Sequence, residues 1–454
     1  MNFWHGFRVI PRDCYVLLVQ LQDRLQTFLI VKKLMAFEKS IGIIFSIFYQ
    51  GNTMYVKKSC GVAIIAAAIF SQTAFANGLE SAIENGMVNG NIRAYYNTRD
   101  YETRTDEDVF SLGGALRVET APWGGVKVGL AYYTAQDLGT NSSDPTKVNK
   151  RLGSEVEVFG EAYIKASFAE TQATVGRQKI NTPFANAGDA FIVPFTFEGG
   201  SIVNTSFDKL TIELNHINTV KNRNSEEFVD VGKWSTNRYG VDVESTSGTT
   251  ILGAVYKDEG IKLQGWYYEF SELFTAVYLQ ANYSFAAGGE VKPFVAAQFG
   301  TQSETGDELL GAVDSTLWGL QGGAAVGKAK VTLAYTSVSE ETDSFKNGAF
   351  LAPYNFSTSP LFTNNMLASM ENVDSGDAYK LTLNYNLANT KLKLSYAEFD
   401  FDNADDREAI DADITYSMAA MVKGLSFRWR VEFVTSDNEA VEQINNRFQL
   451  QMKF

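Results

Sequence analysis

The last eight residues, Arg447 to Phe454, read R-F-Q-L-Q-M-K-F. Apolar and polar side chains alternate without a break: Phe448, Leu450, Met452 and Phe454 against Arg447, Gln449, Gln451 and Lys453. Successive side chains of a strand point to opposite faces, so this stretch is a strand with one apolar and one polar face. The same period recurs upstream. Leu425, Phe427, Trp429, Val431 and Phe433 oppose Ser426, Arg428, Arg430 and Glu432. Leu392, Leu394 and Tyr396 oppose Lys391, Lys393 and Ser395. Where the pattern begins, Val88, Ile92, Ala94 and Tyr96 oppose Asn89, Asn91, Arg93 and Tyr95. A soluble sandwich also alternates, but it does not carry charge on one face through its whole length. A barrel in lipid does, because its outer face is apolar and its lumen polar. The expected fold is all-β, a closed antiparallel transmembrane β-barrel.

The chain ahead of residue 77 has a different character. Met54 opens the stretch MYVKKSCGVAIIAAAIFSQTAFA. Lys57 and Lys58 precede the short apolar run Gly61 to Phe70, and Ala74-Phe75-Ala76 closes it. That order is a secretory signal peptide, with cleavage expected before Asn77. The run is shorter than the roughly 20 residues a spanning helix needs. Cys60 lies before the apolar core, not at the cleavage point, so a lipid anchor is not expected. A signal peptide should begin a chain. Residues 1–53 are therefore expected not to belong to the native protein, residues 54–76 to be the signal, and residues 77–454 to be the barrel domain.

The chain has 454 residues and a net charge of −14. Its leader carries more Lys and Arg than Asp and Glu, so the mature part is still more acidic. An acidic balance argues against a nucleic-acid partner. Both cysteines, Cys14 and Cys60, leave with the leader, which excludes disulfides and Cys-based zinc sites. No cofactor is expected. No later segment is apolar enough for a spanning helix, so a membrane protein built from this sequence must be a barrel.

Connections between the alternating stretches are short, then long. Short ones are Pro122 to Gly125, Asp208-Lys209, Asp258 to Gly260, Ala286 to Gly289, Gly327-Lys328, Ala388 to Thr390 and Lys423-Gly424. Long ones fall near 99–108, 136–153, 180–197, 219–248, 303–313, 340–376, 401–408 and 436–445. Short periplasmic turns and long extracellular loops are the asymmetry of outer membrane barrels. A plain count of the alternating segments reaches one too many for both ends to lie in the periplasm. Tyr239 to Thr246 is the weakest of them and is assigned to the fourth long loop, which leaves eighteen strands, with sixteen as the alternative. Tyr132, Tyr133, Trp266 to Tyr268, Tyr278 and Tyr283 fit either interfacial girdles or ordinary strand composition.

Chemistry is sparse. His216 is the single histidine of the mature part, and no nucleophile motif accompanies it. Gly322 to Lys328, G-G-A-A-V-G-K, mimics a phosphate loop. Ala329 stands where Mg²⁺ needs Ser or Thr, and a strand follows where a helix is required. Acidic residues collect in the long loops: Asp106, Glu107 and Asp108; Glu304, Asp307 and Glu308; Glu340, Glu341 and Asp343; Asp402, Asp405 and Asp406. They read as solvated loop charge, with an acidic vestibule as the functional version. On the inward faces stand Arg93, Arg117, Lys127, Lys391, Lys393, Arg428 and Arg430, either a pore-lining basic wall or a structural network paired with Glu119, Glu432 and others.

The stretch G-R-Q-K-I-N-T-P-F-A-N-A-G-D-A-F-I-V-P-F-T-F-E-G, Gly176 to Gly199, resembles the OprD-family porins where a strand leads into their constriction loop. Ile261 to Phe285, Ser359 to Met366 and the F-R-W-R of Phe427 to Arg430 fit the same pattern, which covers residues 77–454. The resemblance implies an eighteen-stranded barrel with an inward-folded third loop, in the bacterial outer membrane. It implies passive diffusion of small hydrophilic solutes and ions past basic residues, as monomer or trimer, among lipid and lipopolysaccharide. By position the constriction would use Arg177, Lys179, Asp189, Phe191 and Pro194, with Arg428 and Arg430 on the wall. Family members often place an Arg before the apolar pair that leads to the loop proline; here Gly188-Asp189-Ala190-Phe191-Ile192-Val193-Pro194 has none. Phe454 resembles the terminal aromatic by which the barrel assembly machinery recognises its clients. The alternatives are a substrate-selective channel for small carboxylates or amino acids, or a secreted β-sandwich binding protein. A plugged transporter is excluded by the few residues between cleavage site and first strand. An enzyme is not expected.

Overall fold

The computed structural model describes residues 75–152, 155–286, 289–354 and 359–454. Residues 1–53, nearly all of the expected signal segment 54–76, and the middle of the expected turn 286–289 lie outside them. A helix, α1 (Phe75–Glu84), holds the expected cleavage point in its first turn. Nineteen strands follow among the described residues: β1 (Met87–Tyr101), β2 (Glu107–Glu119), β3 (Val126–Gln136), β4 (Val156–Phe168), β5 (Thr171–Gln178), β6 (Thr196–Phe207), β7 (Leu210–Lys221), β8 (Phe228–Asp230), β9 (Thr249–Asp258) and β10 (Ile261–Phe270). The rest are β11 (Phe274–Ser284), β12 (Val291–Glu304), β13 (Asp314–Val326), β14 (Ala329–Val338), β15 (Gly376–Asn386), β16 (Thr390–Phe401), β17 (Arg407–Ser417), β18 (Leu425–Ser436) and β19 (Gln443–Lys453).

Each long strand pairs antiparallel with its neighbours around the wall, and β8 is a three-residue strand pairing only with β7. β7 pairs on directly with β9, so eighteen strands form the wall. The wall closes where β1 meets β19, in a register running from Asn91↔Lys453 to Tyr101↔Gln443. Gly90 and Phe454 continue it, each donating its N–H to the other's carbonyl, at 3.0 and 3.1 Å. A Cβ at Gly90 would lie 2.3 Å from the Ala115 carbonyl and 2.8 Å from the Phe454 ring, so only glycine lets the terminal ring lie across β1. Closure leaves no unpaired edge in lipid, where each unsatisfied backbone group would cost several kcal/mol.

The faces are inside out relative to a soluble protein. In β1, outward Ile92 is 49 % exposed while inward Asn97 is 4 % exposed. Val88, Tyr96, Leu116, Leu381, Leu394, Ile410 and Leu450 are exposed apolar residues on outward positions. Arg93, Glu161, Gln298, Asp411, Glu432 and Arg447 are buried polar ones. The aromatic pairs split in the same way. Tyr267 and Tyr283 face outward, whereas Tyr133, Trp266, Tyr268 and Tyr278 are buried in the lumen, so these last do not belong to a girdle.

Two connections depart from the expected boundaries. β4 and β5 are joined by Ala169-Glu170 alone, with Ala169 at φ 46°. β10 and β11 are joined on the long-loop side by only Ser271 to Leu273, with Glu272 at φ 62°. Neither reversal contains Gly, Pro, Asn or Asp, so neither carries the usual sequence mark of a turn. The terminal strand starts at Gln443 rather than Arg447. Tyr239 to Thr246 lies off the wall as expected, after a helix α2 (Val231–Tyr239) in the fourth loop.

Three long connections turn inward: L3 (179–195), L4 (222–248) and L7 (339–375). They build an apolar core inside the barrel. The Phe184 ring of L3 lies 5.6 Å from Tyr268, 5.2 Å from Tyr278 and 5.3 Å from Phe350 of L7. Phe195 packs edge-on to Trp234 of α2 at 5.7 Å. Gln302 on β12 receives the Leu351 N–H and donates to the Leu351 carbonyl, both at 2.7 Å, which fixes L7 to the wall. A second cluster binds the other leg of L3, with Ile192 and Val193 packed among Tyr95, Ala131, Tyr133, Val156 and Val158. L3 is thus anchored by apolar side chains on both legs, and its charged tip lies between them.

Candidate functional site: the L3 tip and the arginine wall

The tip begins at Gly188, whose φ of +64° makes the turn that aims Asp189 at β1 and β18. Asp189 meets Arg93 Nη2 at 2.8 Å and Arg428 Nη1 at 3.5 Å. Backbone contacts seat the tip as well. The Ala190 carbonyl accepts from the Tyr95 hydroxyl at 3.0 Å, and the Phe191 carbonyl accepts from Arg93 Nη1 at 2.6 Å. The Asp189 side chain is 67 % exposed, so its carboxylate faces the water of the lumen. Partial burial opposes its ionisation. Arg93 first, then Arg428 and Arg430, outweigh this and hold the carboxyl below the usual range.

The wall opposite rises in rows set by the strand register. Arg93 is level with Gln451, Tyr95 with Gln449 and Arg428, Asn97 with Arg447 and Arg430, and Arg99 with Asn445. Arg430 and Arg447 are therefore direct cross-strand neighbours, both inward. The Nε and Nη2 atoms of Arg430 and of Arg99 are buried without a protein partner. Loop arginines add to this. The Arg151 guanidinium is pushed down by burial and then by the charges of Arg99, Arg447 and Arg223, so these four groups share one field. Arg223 stacks on Phe191 at 4.3 Å and on Phe195 at 4.8 Å.

Elsewhere in the lumen the basic residues are paired, and Arg428 has a second carboxylate besides Asp189. Glu161, 2 % exposed in its side chain, binds Arg117, the Tyr133 hydroxyl and, at 3.5 Å, Lys179. Glu119 binds Lys127 at 3.0 Å and Lys165 at 3.4 Å. Lys393 pairs with Asp411 at 3.0 Å, and Arg428 with Asp413 through Nε at 2.8 Å. A cavity of about 580 Å³ opens here, bordered by Asn91, Arg117, Glu161, Gln178, Lys179 and Asn215 among others.

The sequence matches the family model for outer membrane porins of the OprD family over residues 82–454. The chain belongs to the OprD family of outer membrane porins. It is a bacterial outer membrane channel for small solutes. Solved porins of this kind share its architecture. OccAB3 of Acinetobacter baumannii aligns with TM-score 0.70 at 17 % identity, over 82 % of this chain and 100 % of its own. A BenF-like porin of Pseudomonas fluorescens aligns with TM-score 0.71 at 16 % identity, over 82 % and 99 %. OpdK of Pseudomonas aeruginosa, solved with vanillate, gives 0.68 at 15 %, over 82 % and 99 %. Among curated proteins none matches the sequence.

The expected constriction residues of this OprD-family porin do not all meet. Asp189 and Phe191 stand at the tip. Lys179 sits at the root of L3 on Glu161, and the Pro194 carbonyl accepts from Lys221 at 3.2 Å. Arg177 is a correction. It shares the outward parity of exposed Val175, pairs with Glu198 at 2.9 Å and stacks on Phe228 of β8 at 4.3 Å, so it lies off the lumen face. Of the expected wall, Arg117, Lys127 and Lys393 are held in ion pairs, Lys391 is exposed near the turn after β15, and Arg93, Arg428 and Arg430 face the tip. Glu432 does not pair with the wall bases; it accepts the Ala368 N–H of L7 at 3.2 Å. Sequence reasoning missed Arg99 and Arg447 as wall members, although both have inward parity with Arg93 and Gln449. It could not have found Arg151 and Arg223, because loops have no period. His216 is exposed and touches Thr250 Oγ1 at 3.1 Å. Among the described residues no acidic cluster has the arrangement of a metal site.

Glu161→Ala removes the carboxylate that both Arg117 and Lys179 touch. Breaking a buried pair costs roughly 3–5 kcal/mol, and the partial exposure of both bases brings this to about 2 kcal/mol. Urea unfolding of the porin in lipid vesicles reads that loss, and an unchanged midpoint would contradict it.

Proposed function

We propose that this porin is a passive diffusion pore constricted where the L3 tip, Asp189 to Phe191, meets the wall formed by Arg93, Arg428 and Arg430, and that it prefers small anions. One observation carries the preference. Arg430 and Arg447 face each other across β18 and β19, and Arg430 keeps two buried N–H groups without a protein partner. Like charges directly opposite are destabilising in a sheet, and buried unpaired donors cost more. The fold gains nothing from this arrangement, whereas a positive field at a narrow, low-dielectric passage raises local anion concentration. The acidic loop residues lie farther out, in water, and act more weakly. Two solved relatives bear carboxylates, OpdK with vanillate and OccK2 with glucuronate. The test is the reversal potential of the purified porin in a planar bilayer under a KCl gradient. A potential displaced toward the chloride equilibrium supports the reading; displacement toward that of potassium refutes it.

The same proposal gives the chain no catalytic role. It starts the native protein at Met54, removes residues 54–76 as a signal and leaves 77–454 as the porin, working as monomer or trimer with one pore in each barrel. Phe454, paired with Gly90 at the seam, is read by the barrel assembly machinery. Deleting it lowers the amount of inserted porin more than the conductance of the pores that form. An equal loss of both would contradict that division.

A further inference from the structure

We propose that Asp189 is a tethered counter-ion: its carboxylate occupies the oxyanion position between Arg93 and Arg428, and a solute carboxylate must exchange with it to use those two guanidinium groups. The inference rests on the constriction placed at the L3 tip. Asp189 spans two arginines on non-adjacent strands, at 2.8 and 3.5 Å, as a small carboxylate would. Each of the three nitrogens of Arg93 is engaged. Its Nε binds Gln451 at 2.8 Å, its Nη1 the Phe191 carbonyl and its Nη2 Asp189. Arg428 gives Nε to Asp413 and keeps Nη1 for Asp189. The charge that the wall shows to a solute is therefore smaller than its count of arginines.

A purely mechanical role for Asp189 fits less well. The tip is already seated by the Ala190 and Phe191 carbonyls and by the apolar packing of Ile192 and Val193. With Asp189 67 % exposed, its ion pair to the buried Arg93 contributes less to stability than a fully buried pair would. Its charge acts at short range on whatever passes. A group tethered by a short segment competes at an effective concentration of about millimolar or more, so dilute carboxylates exchange against it only weakly. The constriction then passes small anions without holding them. Neutralising Asp189 converts a site of transit into a site of binding for monocarboxylates.

The experiment compares Asp189→Asn, Asp189→Ser and Asp189→Glu with the native porin, each as the full chain purified from outer membranes. Chloride-over-potassium permeability comes from the reversal potential, and carboxylate binding from the block of chloride current by sodium propionate. Either neutral variant that assembles carries the test. The expected result is a permeability ratio raised about fivefold, the factor one unit charge exerts at contact distance even in bulk water. Propionate block should appear at roughly tenfold lower concentration, and Asp189→Glu should restore the native values. A native-like ratio and native-like block in the neutral variants would overturn the proposal, as would a change confined to current noise, which assigns Asp189 to holding the loop. Asp189→Glu behaving like Asp189→Asn would overturn it too. Native porin that prefers potassium would instead refute the anion-preferring reading, because the tether is judged only by differences between variants.

Discussion

Phe184→Ala gives a wider, noisier pore in a barrel destabilised by about 3–5 kcal/mol, the range for removing a fully buried phenylalanine. Phe184 is 1 % exposed and joins three elements through one ring: L3 to Tyr268 and Tyr278 on the wall, and L3 to Phe350 of L7. Its backbone N–H also donates to the Tyr268 hydroxyl at 3.2 Å. Without the ring the root of L3 loses its hold on the β10–β11 side, while Ile192 and Val193 keep the other leg. The tip then moves away from Arg428, so single-channel conductance rises and fluctuates. Bilayer recording and urea unfolding read the two effects. Lost stability with native conductance would show that L3 is not what narrows the lumen.

The second large effect is electrical. Replacing Arg430 and Arg447 by glutamine lowers chloride-over-potassium permeability about 25-fold, since each unit charge at contact distance is worth roughly fivefold in water. Stability should not fall. The pair stands directly opposite across β18 and β19, and relieving like-charge repulsion contributes about 0.2–1 kcal/mol. A variant that loses selectivity and keeps its unfolding midpoint identifies charges held for permeation. One that loses stability and keeps selectivity would make the arginines structural.

Much of the barrel was legible because lipid allows few solutions. Once Arg447 to Phe454 is a strand with one apolar face, its edge must be paired, and the inward parity of Arg93, Arg428 and Arg430 follows by counting in twos. The strand total came from parity rather than pattern, since β8 and α2 are buried within a long connection. Ser271 to Leu273 escaped notice because the reversal is only three residues long and has no Gly, Pro, Asn or Asp, and apolar Phe270 and Phe274, which stack at 4.5 Å, flank it. Arg177 was placed by resemblance, where the period from Val175 points it outward. The contacts of Asp189 depend on the path of L3, which is set by Phe184, Ile192 and Val193 packing on residues far away in sequence. No local rule encodes that path.

Cysteine accessibility tests the position of the passage most directly. The chain has no cysteine after Cys60, so a single cysteine can be placed at Asp189, which faces water, or at Val193, 1 % exposed in the leg behind it. With a bulky anionic thiol reagent added during bilayer recording, Asp189→Cys should lose most of its current within the recording, and Val193→Cys should keep it. Current that is unaffected at 189, or that falls only at 193, would contradict a pore bordered by the L3 tip and the arginine wall where they meet.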